Sequence, residues 1–171
     1  MLSETQTIYK FIVLYMLNNV SFPLSNNEIS KFILNRGYTD YITLQSAIGE
    51  LKDNELIEDK TVRNRTLYEI TEEGRQTINF FPTELSEELK KDIIEYLKEN
   101  EHELRQEISV MSDYKKLPNG EYKATGWITE DNERMVEVSL TVPTEKMALD
   151  ICLNWKEKNE EIYKYLTGQL F

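Results

Sequence analysis

The apolar residues at the start of the chain recur with helical spacing and predict a first, buried helix over residues 5–19. Its apolar stripe consists of Ile8, Phe11, Ile12, Tyr15 and Met16. Val13, Leu14 and Leu17 lie outside that stripe, so we expect the helix to be buried on more than one side. Pro23 lies in the segment that follows and ends the helical pattern.

Two further helices follow, and each has its own start signal. Ser25 lies three residues before Glu28, and this spacing predicts a capping box at the start of a helix over residues 26–35. Gly37 suits the left-handed position that follows the end of such a helix. The third helix is predicted to follow Asp40, its N-cap. Its core stripe consists of Leu44, Ala47, Ile48 and Leu51.

Two short segments rich in β-branched and aromatic residues, LIEDKTV and TLYEIT, predict a β-hairpin. At its tip lie Arg63, Asn64 and Arg65, and Asn64 tolerates the positive φ that a tight turn requires. The two arginines have two interpretations. They pair with Glu58 or Asp59 in an ordinary solvated turn, or they form a wing that grips a phosphate backbone. We favour the wing because a turn that needs only solubility has no need of basic residues.

The second half of the chain has a different pattern, with one long acidic helix followed by strands. Six apolar residues mark a single helix from about residue 84: Leu85, Leu89, Ile93, Leu97, Leu104 and Ile108. This stripe is either core or a dimer seam. Three runs with β character follow, ISVMSDYKKL, EYKATGWIT and MVEVSLTV, and Asn119-Gly120 is a hairpin signal between the first two. A helix after Pro143 is predicted to cover this sheet.

Composition and charge restrict the function. The chain of 171 residues is long enough for one or two small domains, and no apolar run approaches the length of a membrane span. Glu4 stands where a secretory leader has basic residues, so we expect a cytoplasmic protein with no membrane partner. The formal net charge is -11, of which -3 falls in residues 1–81 and -8 in the remainder. Since a duplex repels such a protein at long range, DNA binding requires a local basic patch.

The chemistry-bearing residues give no sign of a catalytic or metal centre. The one cysteine, Cys152, falls on an apolar helical stripe and is read as core rather than as a redox switch. The one histidine, His102, falls among glutamates and is read as exposed rather than as a metal or pH sensor. No phosphate-loop, dinucleotide or hydrolase motif is present. We therefore expect neither cofactor, nor metal, nor enzymatic activity.

The order of helix, helix, turn, helix and hairpin is the layout of a winged helix-turn-helix. The segment TDYITLQSAIGELKDNELIEDK, followed by RTLYEITEEGR, resembles the recognition-helix-to-wing region of winged-helix bacterial regulators. Nearly the whole chain is similar to a family of uncharacterised bacterial winged-helix proteins with a C-terminal domain of unknown function. This resemblance implies a transcriptional regulator, without an assigned ligand or operator.

In that layout the third helix enters the major groove and the hairpin tip reaches the backbone or minor groove. The candidate DNA-contacting residues are Thr39, Tyr41, Thr43, Gln45, Ser46, Gly49, Lys60, Arg63, Asn64 and Arg65. Gln45 suits an adenine edge, Ser46 a base or phosphate, and Gly49 the close approach of a backbone. The other interpretation of Gln45 and Ser46 is a solvated helix face. Hydroxyls at the helix start suit phosphates, while Lys31 and Arg36 add positive charge nearby.

The sequence thus predicts an α+β protein of two domains. Residues 1–81 form a winged helix-turn-helix, and residues 84–171 form a small domain for dimerisation or sensing. The long helix, a three-stranded antiparallel sheet and a covering helix build that second domain. The predicted function is sequence-selective binding of double-stranded DNA by a homodimeric regulator, with an unknown small molecule as effector.

Two other functions stay open. One is a winged helix that binds protein instead of DNA, which the acidic net charge favours. The other is an enzyme built on the C-terminal sheet, where Asp113, Glu121 and Glu137 supply carboxylates. Trp127 also has two interpretations, as an exposed partner surface or as packing under the terminal helix.

Overall fold

The structure is a computed structural model that describes residues 4–62 and 65–171. These described residues form seven helices and two antiparallel sheets of three strands each, which confirms the α+β class. The chain divides into two compact units, Met1–Leu104 and Arg105–Phe171.

The first unit contains three helices, a small sheet and two further helices. In chain order these are α1 (Glu4–Asn18), β1 (Leu24–Ser25), α2 (Asn26–Asn35), α3 (Tyr41–Asp53), β2 (Ile57–Val62), β3 (Arg65–Ile70), α4 (Glu72–Phe80) and α5 (Glu87–Glu99). Strand β3 is central and pairs antiparallel with both β1 and β2. The sequence pattern predicts the β2–β3 hairpin but not the two-residue β1, which is too short to show an alternation.

Side-chain caps fix where the helices of the first unit begin. The Ser25 hydroxyl accepts a hydrogen bond from the Glu28 amide at 3.1 Å, and Asp40 caps α3, as predicted. The Thr71 hydroxyl accepts one from the Gly74 amide at 3.1 Å at the start of α4. The expected left-handed glycine follows α2, since Gly37 has a φ of +67°. The predicted starts of α2 and α3 are therefore confirmed.

The core of the first unit lies between α1, α2 and α3. Its fully buried large side chains are Ile12, Val13, Leu14, Met16, Leu24, Ile29, Phe32, Ile33, Leu44, Ile48, Leu51 and Ile93. Helix α1 is buried on more than one side, as its extra apolar residues predict. Helix α4 begins close to the hairpin, because a Cβ added at Gly74 would lie 2.1 Å from the Leu56 carbonyl oxygen. Only glycine allows that approach.

The predicted long helix is two helices, α5 and α6 (Glu101–Ser109), separated at Asn100. The Asn100 amide side chain donates to the Tyr96 carbonyl oxygen at 2.8 Å, and its backbone amide also reaches the last turn of α5. Asparagine competes for main-chain partners in this way, so it ends a helix more readily than the surrounding glutamates and lysines do. Leu85, which precedes α5, is buried, and so are Ile93 and Leu97 on α5, so this part of the predicted stripe is core.

The second unit is a meander of three strands covered by one helix. After the end of α6 come β4 (Val110–Lys116), β5 (Tyr122–Glu130), β6 (Glu133–Val142) and α7 (Glu145–Leu170). The strand order is β4-β5-β6, and the β5–β6 turn uses positive φ at Asp131 and Asn132. Such a pair of positive φ angles matches the twist of a tight hairpin.

Helix α7 lies against this sheet by a close contact at one glycine. A Cβ added at Gly126 would lie 2.4 Å from the Trp155 ring. The Trp155 indole N–H donates to the Trp127 carbonyl oxygen at 3.4 Å. Cys152 packs with Ala124 in the core, as the core interpretation predicted. Among the described residues, no helix combines the length and apolar character needed to cross a membrane.

Candidate nucleic-acid interface

The start of α3 is organised by Asp40, the predicted N-cap. One oxygen of its carboxylate accepts the Thr43 amide at 2.9 Å, and the other accepts the Thr43 hydroxyl at 3.0 Å. These hydrogen bonds, from the amide first and the hydroxyl second, lower the pKa of Asp40. The Thr43 hydroxyl has one proton and gives it to Asp40, so it has none left for a phosphate. The Asp40 carboxylate also places a negative charge at the N-terminal end of α3, which is the end of a helix where anions bind favourably.

The outward face of α3 consists of Ile42, Ser46 and Gly49, which are separated by four and three residues and therefore lie on one side of the helix. Ile42 is 80% exposed, and the neighbouring Tyr41 is 53% exposed. Ser46 is also exposed, whereas Thr39 and Gly49 are half-buried. This face is thus apolar at the start of the helix, whereas its middle carries the small residues Ser46 and Gly49.

Gln45, predicted to read an adenine, borders that face, but its side chain is bound within the chain. Its amide nitrogen donates to the Asn26 side-chain oxygen at 2.9 Å, which joins α3 to the start of α2. The side chain is half-buried. To pair with a base edge, the Gln45 amide would first have to leave Asn26.

Gly49 offers open space for the approach of a partner. A Cβ added there would meet nothing within 4 Å. The adjacent carboxylate, Glu50, points to the other side and pairs with Lys10 of α1. This pair neutralises one of the acidic residues near the end of α3, although Asp53 remains exposed.

The β2–β3 hairpin carries the predicted wing. Lys60 is exposed on β2, and Arg65 is half-buried at the first position of β3. Val62 pairs with Arg65 and is the last described residue before the tip. Arg63 and Asn64, two of the predicted wing residues, lie outside the described residues. Asp59 of the hairpin forms an ion pair with Lys52 of α3 at 2.8 Å. This bond raises the pKa of Lys52.

Arg36, expected to add positive charge near the helix face, binds another helix instead. Its Nε and Nη2 donate to the two oxygens of Asp92 on α5, at 2.6 and 3.0 Å. The guanidinium carbon also lies 4.2 Å from the centre of the Phe32 ring. The bond to Arg36 is the main cause that lowers the pKa of Asp92. The other expected cation, Lys31, is exposed and lies 3.9 Å from Glu28, a weak surface pair.

Asp92 belongs to a polar and aromatic cluster that the sequence does not predict. The Tyr38 hydroxyl donates to Asp92 at 3.0 Å, and the Tyr96 hydroxyl donates to Glu28 at 3.2 Å. Burial is the main cause that raises the pKa of Tyr96 to about 12. One signal was available: Asp92 and Tyr96 are four residues apart on α5, next to its apolar stripe. That position favours a docked face over a solvated one.

Across the described residues, no group of three His, Cys, Asp or Glu side chains could hold a metal ion.

In the second unit, Trp127 is 8% exposed, with the Arg134 guanidinium carbon 4.5 Å from its ring centre. That degree of burial excludes the exposed partner surface considered for this tryptophan.

Comparison with protein families gives a match over nearly the whole chain. The family model described as "Domain of unknown function (DUF4364)" covers residues 9–170. Comparisons with curated proteins and with solved structures gave no match. Since the match spans almost the entire chain, including both compact units, the chain belongs to the DUF4364 family.

Proposed function

We propose that the first unit is a winged helix-turn-helix that binds double-stranded DNA, and that the protein is a transcriptional regulator. The observation that carries this proposal is the arrangement of the first sheet. The elements run α1, β1, α2, α3, β2, β3, and β3 lies between β1 and β2. The hairpin is thereby held in the unit by the pairing of β1 with residues 67 and 68 of β3. A helix followed by such a hairpin suits insertion into a groove with a flanking backbone contact.

In this proposal the outward face of α3 lies in the major groove. Ile42 reaches a thymine methyl group, because an exposed apolar side chain at the start of a recognition helix suits that contact. Ser46 bonds a base edge, and Gly49 allows the helix to approach closely. Gln45 contributes less, since its amide is bound to Asn26.

The hairpin supplies the phosphate contacts. Its basic residues are Lys60, Arg63 and Arg65. With roughly three phosphate contacts for each chain, the logarithm of the binding constant falls with the logarithm of salt at a slope of about -3. Asp40 and Asp53 lie near the same surface, so binding is weak and salt-sensitive unless two copies bind together.

The proposal is tested by selecting from a random duplex library at low salt and then measuring affinity for the enriched sequence. The Arg63→Ala/Arg65→Ala double variant is expected to lose at least tenfold in affinity and to show a shallower salt slope. The matched control is Arg75→Ala/Lys98→Ala, which removes the same net charge from exposed positions on α4 and α5. An equal loss in both double variants would mean that only the net charge matters. Failure to enrich any sequence would contradict the proposal.

A second function, docking of a protein partner on α3, is favoured by one observation. Ile42 and Tyr41 form an exposed apolar pair beside Asp40, and the hydroxyl and amide groups that would contact DNA are partly bound within the chain. The salt dependence of binding separates the two functions. Contacts to phosphates weaken steeply with salt, whereas an apolar contact through Ile42 does not.

A further inference from the structure

The two edges of the second sheet differ in how they are protected. Strand β4 is one edge, and it carries Lys115 and Lys116, both exposed. Its Asp113 side chain accepts the Tyr114 amide at 2.8 Å, so a main-chain donor is capped from within the strand. Charged side chains, lysine above all, and occupied main-chain groups discourage a sheet edge from pairing with another chain.

Strand β6, the opposite edge, has such protections mainly at its start, where the charged residues Glu133 and Arg134 and a bulge lie. Its regular part is residues 136–142, because Met135 is an extra residue between the pairs of Arg134 and Val136, and Pro143 follows the strand. Glu137 is the only charged residue in this part. In the described part of the chain, no side chain caps a main-chain group of residues 136–142, and no strand pairs with their outer edge.

The side chains of this regular part alternate by chemistry as well as by direction. Residues at even positions, Val136, Val138, Leu140 and Val142, share one face, and Leu140 is 52% exposed. Residues at odd positions on the other face are polar. A strand partner for this edge must offer the same alternation in the same phase, since a shift by one residue would oppose apolar to polar groups.

We propose that the partner is a second copy of this chain, paired with β6 in antiparallel orientation about a two-fold axis at Ser139. This register opposes Val136 to Val142 and Val138 to Leu140, with Ser139 opposite itself. It uses all seven regular residues and ends at the bulge on one side and at the proline on the other. The interface is isologous, as two-fold dimers require, and it joins two three-stranded sheets into one of six strands.

For two copies of this chain, charge favours this register over the alternatives. Each chain has a net charge of -11, so two copies repel each other except where carboxylates are sparse. Residues 136–142 are such a segment, and the register opposes the single carboxylate, Glu137, to Thr141. An axis at Glu137 would instead bring two carboxylates face to face, which is destabilising. An axis at Val138 would pair the bulged Met135.

The first test is the mass of the full-length protein in solution across a concentration series, measured by sedimentation. The wild type is expected to have twice the mass of one chain, and Leu140→Lys is expected to be monomeric because it brings two ammonium groups close to the axis. Ile42→Lys is the matched control, since it also places lysine at an exposed apolar position but lies on α3. Circular dichroism checks that both variants are folded.

The second test measures the register by cross-linking. In antiparallel strands, opposed residues have Cα atoms about 4.5–5.5 Å apart, within reach of a disulfide. Ser139→Cys is therefore expected to form an intermolecular disulfide under mild oxidation. Thr141→Cys is the matched control on the same face, because the two copies of residue 141 would lie about 13 Å apart. The native Cys152 is 1% exposed and does not compete.

A monomeric wild type at every concentration would overturn the proposal. A dimer that Leu140→Lys leaves intact would overturn it too, as would faster cross-linking at residue 141 than at residue 139. None of these measurements includes DNA, so the outcome is independent of the function proposed for the first unit.

Discussion

The two units differ in how their polar and apolar side chains are bound or left exposed. In the first unit, polar side chains near α3 are bound within the unit: Thr43 to Asp40, Gln45 to Asn26, Lys10 to Glu50 and Arg36 to Asp92. In the second unit, apolar surface is left uncovered. Eight of the thirteen large apolar side chains that are exposed in the described part of the chain belong to it.

This difference indicates what each unit would require from the partner proposed for it above. The polar groups of the first unit are largely satisfied, so a ligand there has to supply its own complementary charge to a few basic and apolar side chains. The second unit exposes apolar groups along β6 and α7, and covering them releases water whatever the detailed contacts are. We therefore expect the first unit to provide specificity and the second to provide association.

The largest expected effect concerns the internal packing of the two units, each of which has one glycine in close contact with another residue. Gly74→Ala would bring a Cβ against the Leu56 carbonyl oxygen, a main-chain group that cannot move alone. We expect a loss of about 3 kcal/mol in the free energy of unfolding, at the upper end for overpacking. Gly126→Ala meets the Trp155 side chain instead and should cost about 2 kcal/mol.

Chemical denaturation of the two variants and the wild type measures these losses. Gly49→Ala is the control, because its Cβ would meet nothing within 4 Å and alanine favours a helix by about 1 kcal/mol. It should unfold at a higher denaturant concentration than the wild type. If Gly126→Ala also proved stabilising, the contact between Trp155 and β5 would be looser than the structure shows.

Periodicity and capping residues predict the local structure well because both act over a few neighbouring positions. The starts of α2, α3 and α4 follow from Ser25, Asp40 and Thr71, and the three strands of the second unit follow from alternation and turn residues. The break at Asn100 was missed because the apolar stripe continues through it. Asparagine there acts through its hydrogen bonds, which periodicity does not register.

The candidate site is less predictable, because its key contacts join residues far apart in the chain. Arg36 and Asp92 are separated by 56 positions, and Gln45 and Asn26 by 19. A charged or amide residue on a helix face gives the same sequence pattern whether its side chain is solvated or bound to a residue far away in the chain. The sequence likewise does not show that β6 is an edge strand, because alternation predicts a strand but not how many strands pair with it.

A smaller effect on stability is expected from the ion pair between Arg36 and Asp92 in the first unit. The bond to Arg36 holds the pKa of Asp92 below its usual value, so the folded state favours the ionised carboxylate. The stability from this pair is present above the pKa of the unfolded chain, about 3.9, and is lost as pH falls through the lower folded value. Because both groups are about one-third exposed, Asp92→Asn should cost only about 1 kcal/mol near neutral pH.

Denaturation measured from pH 7 to pH 2 tests this. The gap between wild type and Asp92→Asn should close at the acid end, where the wild-type carboxylate is protonated as well. Asp53→Asn, an exposed carboxylate at the end of α3, should show no comparable gap. A gap that stayed constant with pH would mean that Asp92 acts through shape rather than through its charge.

The smallest expected effect separates a bound polar group from a free one on α3, and it rests on the DNA-binding function proposed above. Ser46 is exposed on the outward face, whereas the Gln45 amide donates to Asn26. Ser46→Ala should weaken binding to the selected duplex about fivefold, the value of one hydrogen bond of about 1 kcal/mol. Gln45→Ala should change affinity less than twofold while lowering stability slightly, because Asn26 loses its partner. If Gln45→Ala had the larger effect on affinity, its amide would leave Asn26 when DNA binds, and the first unit would be less fixed than its internal hydrogen bonds indicate.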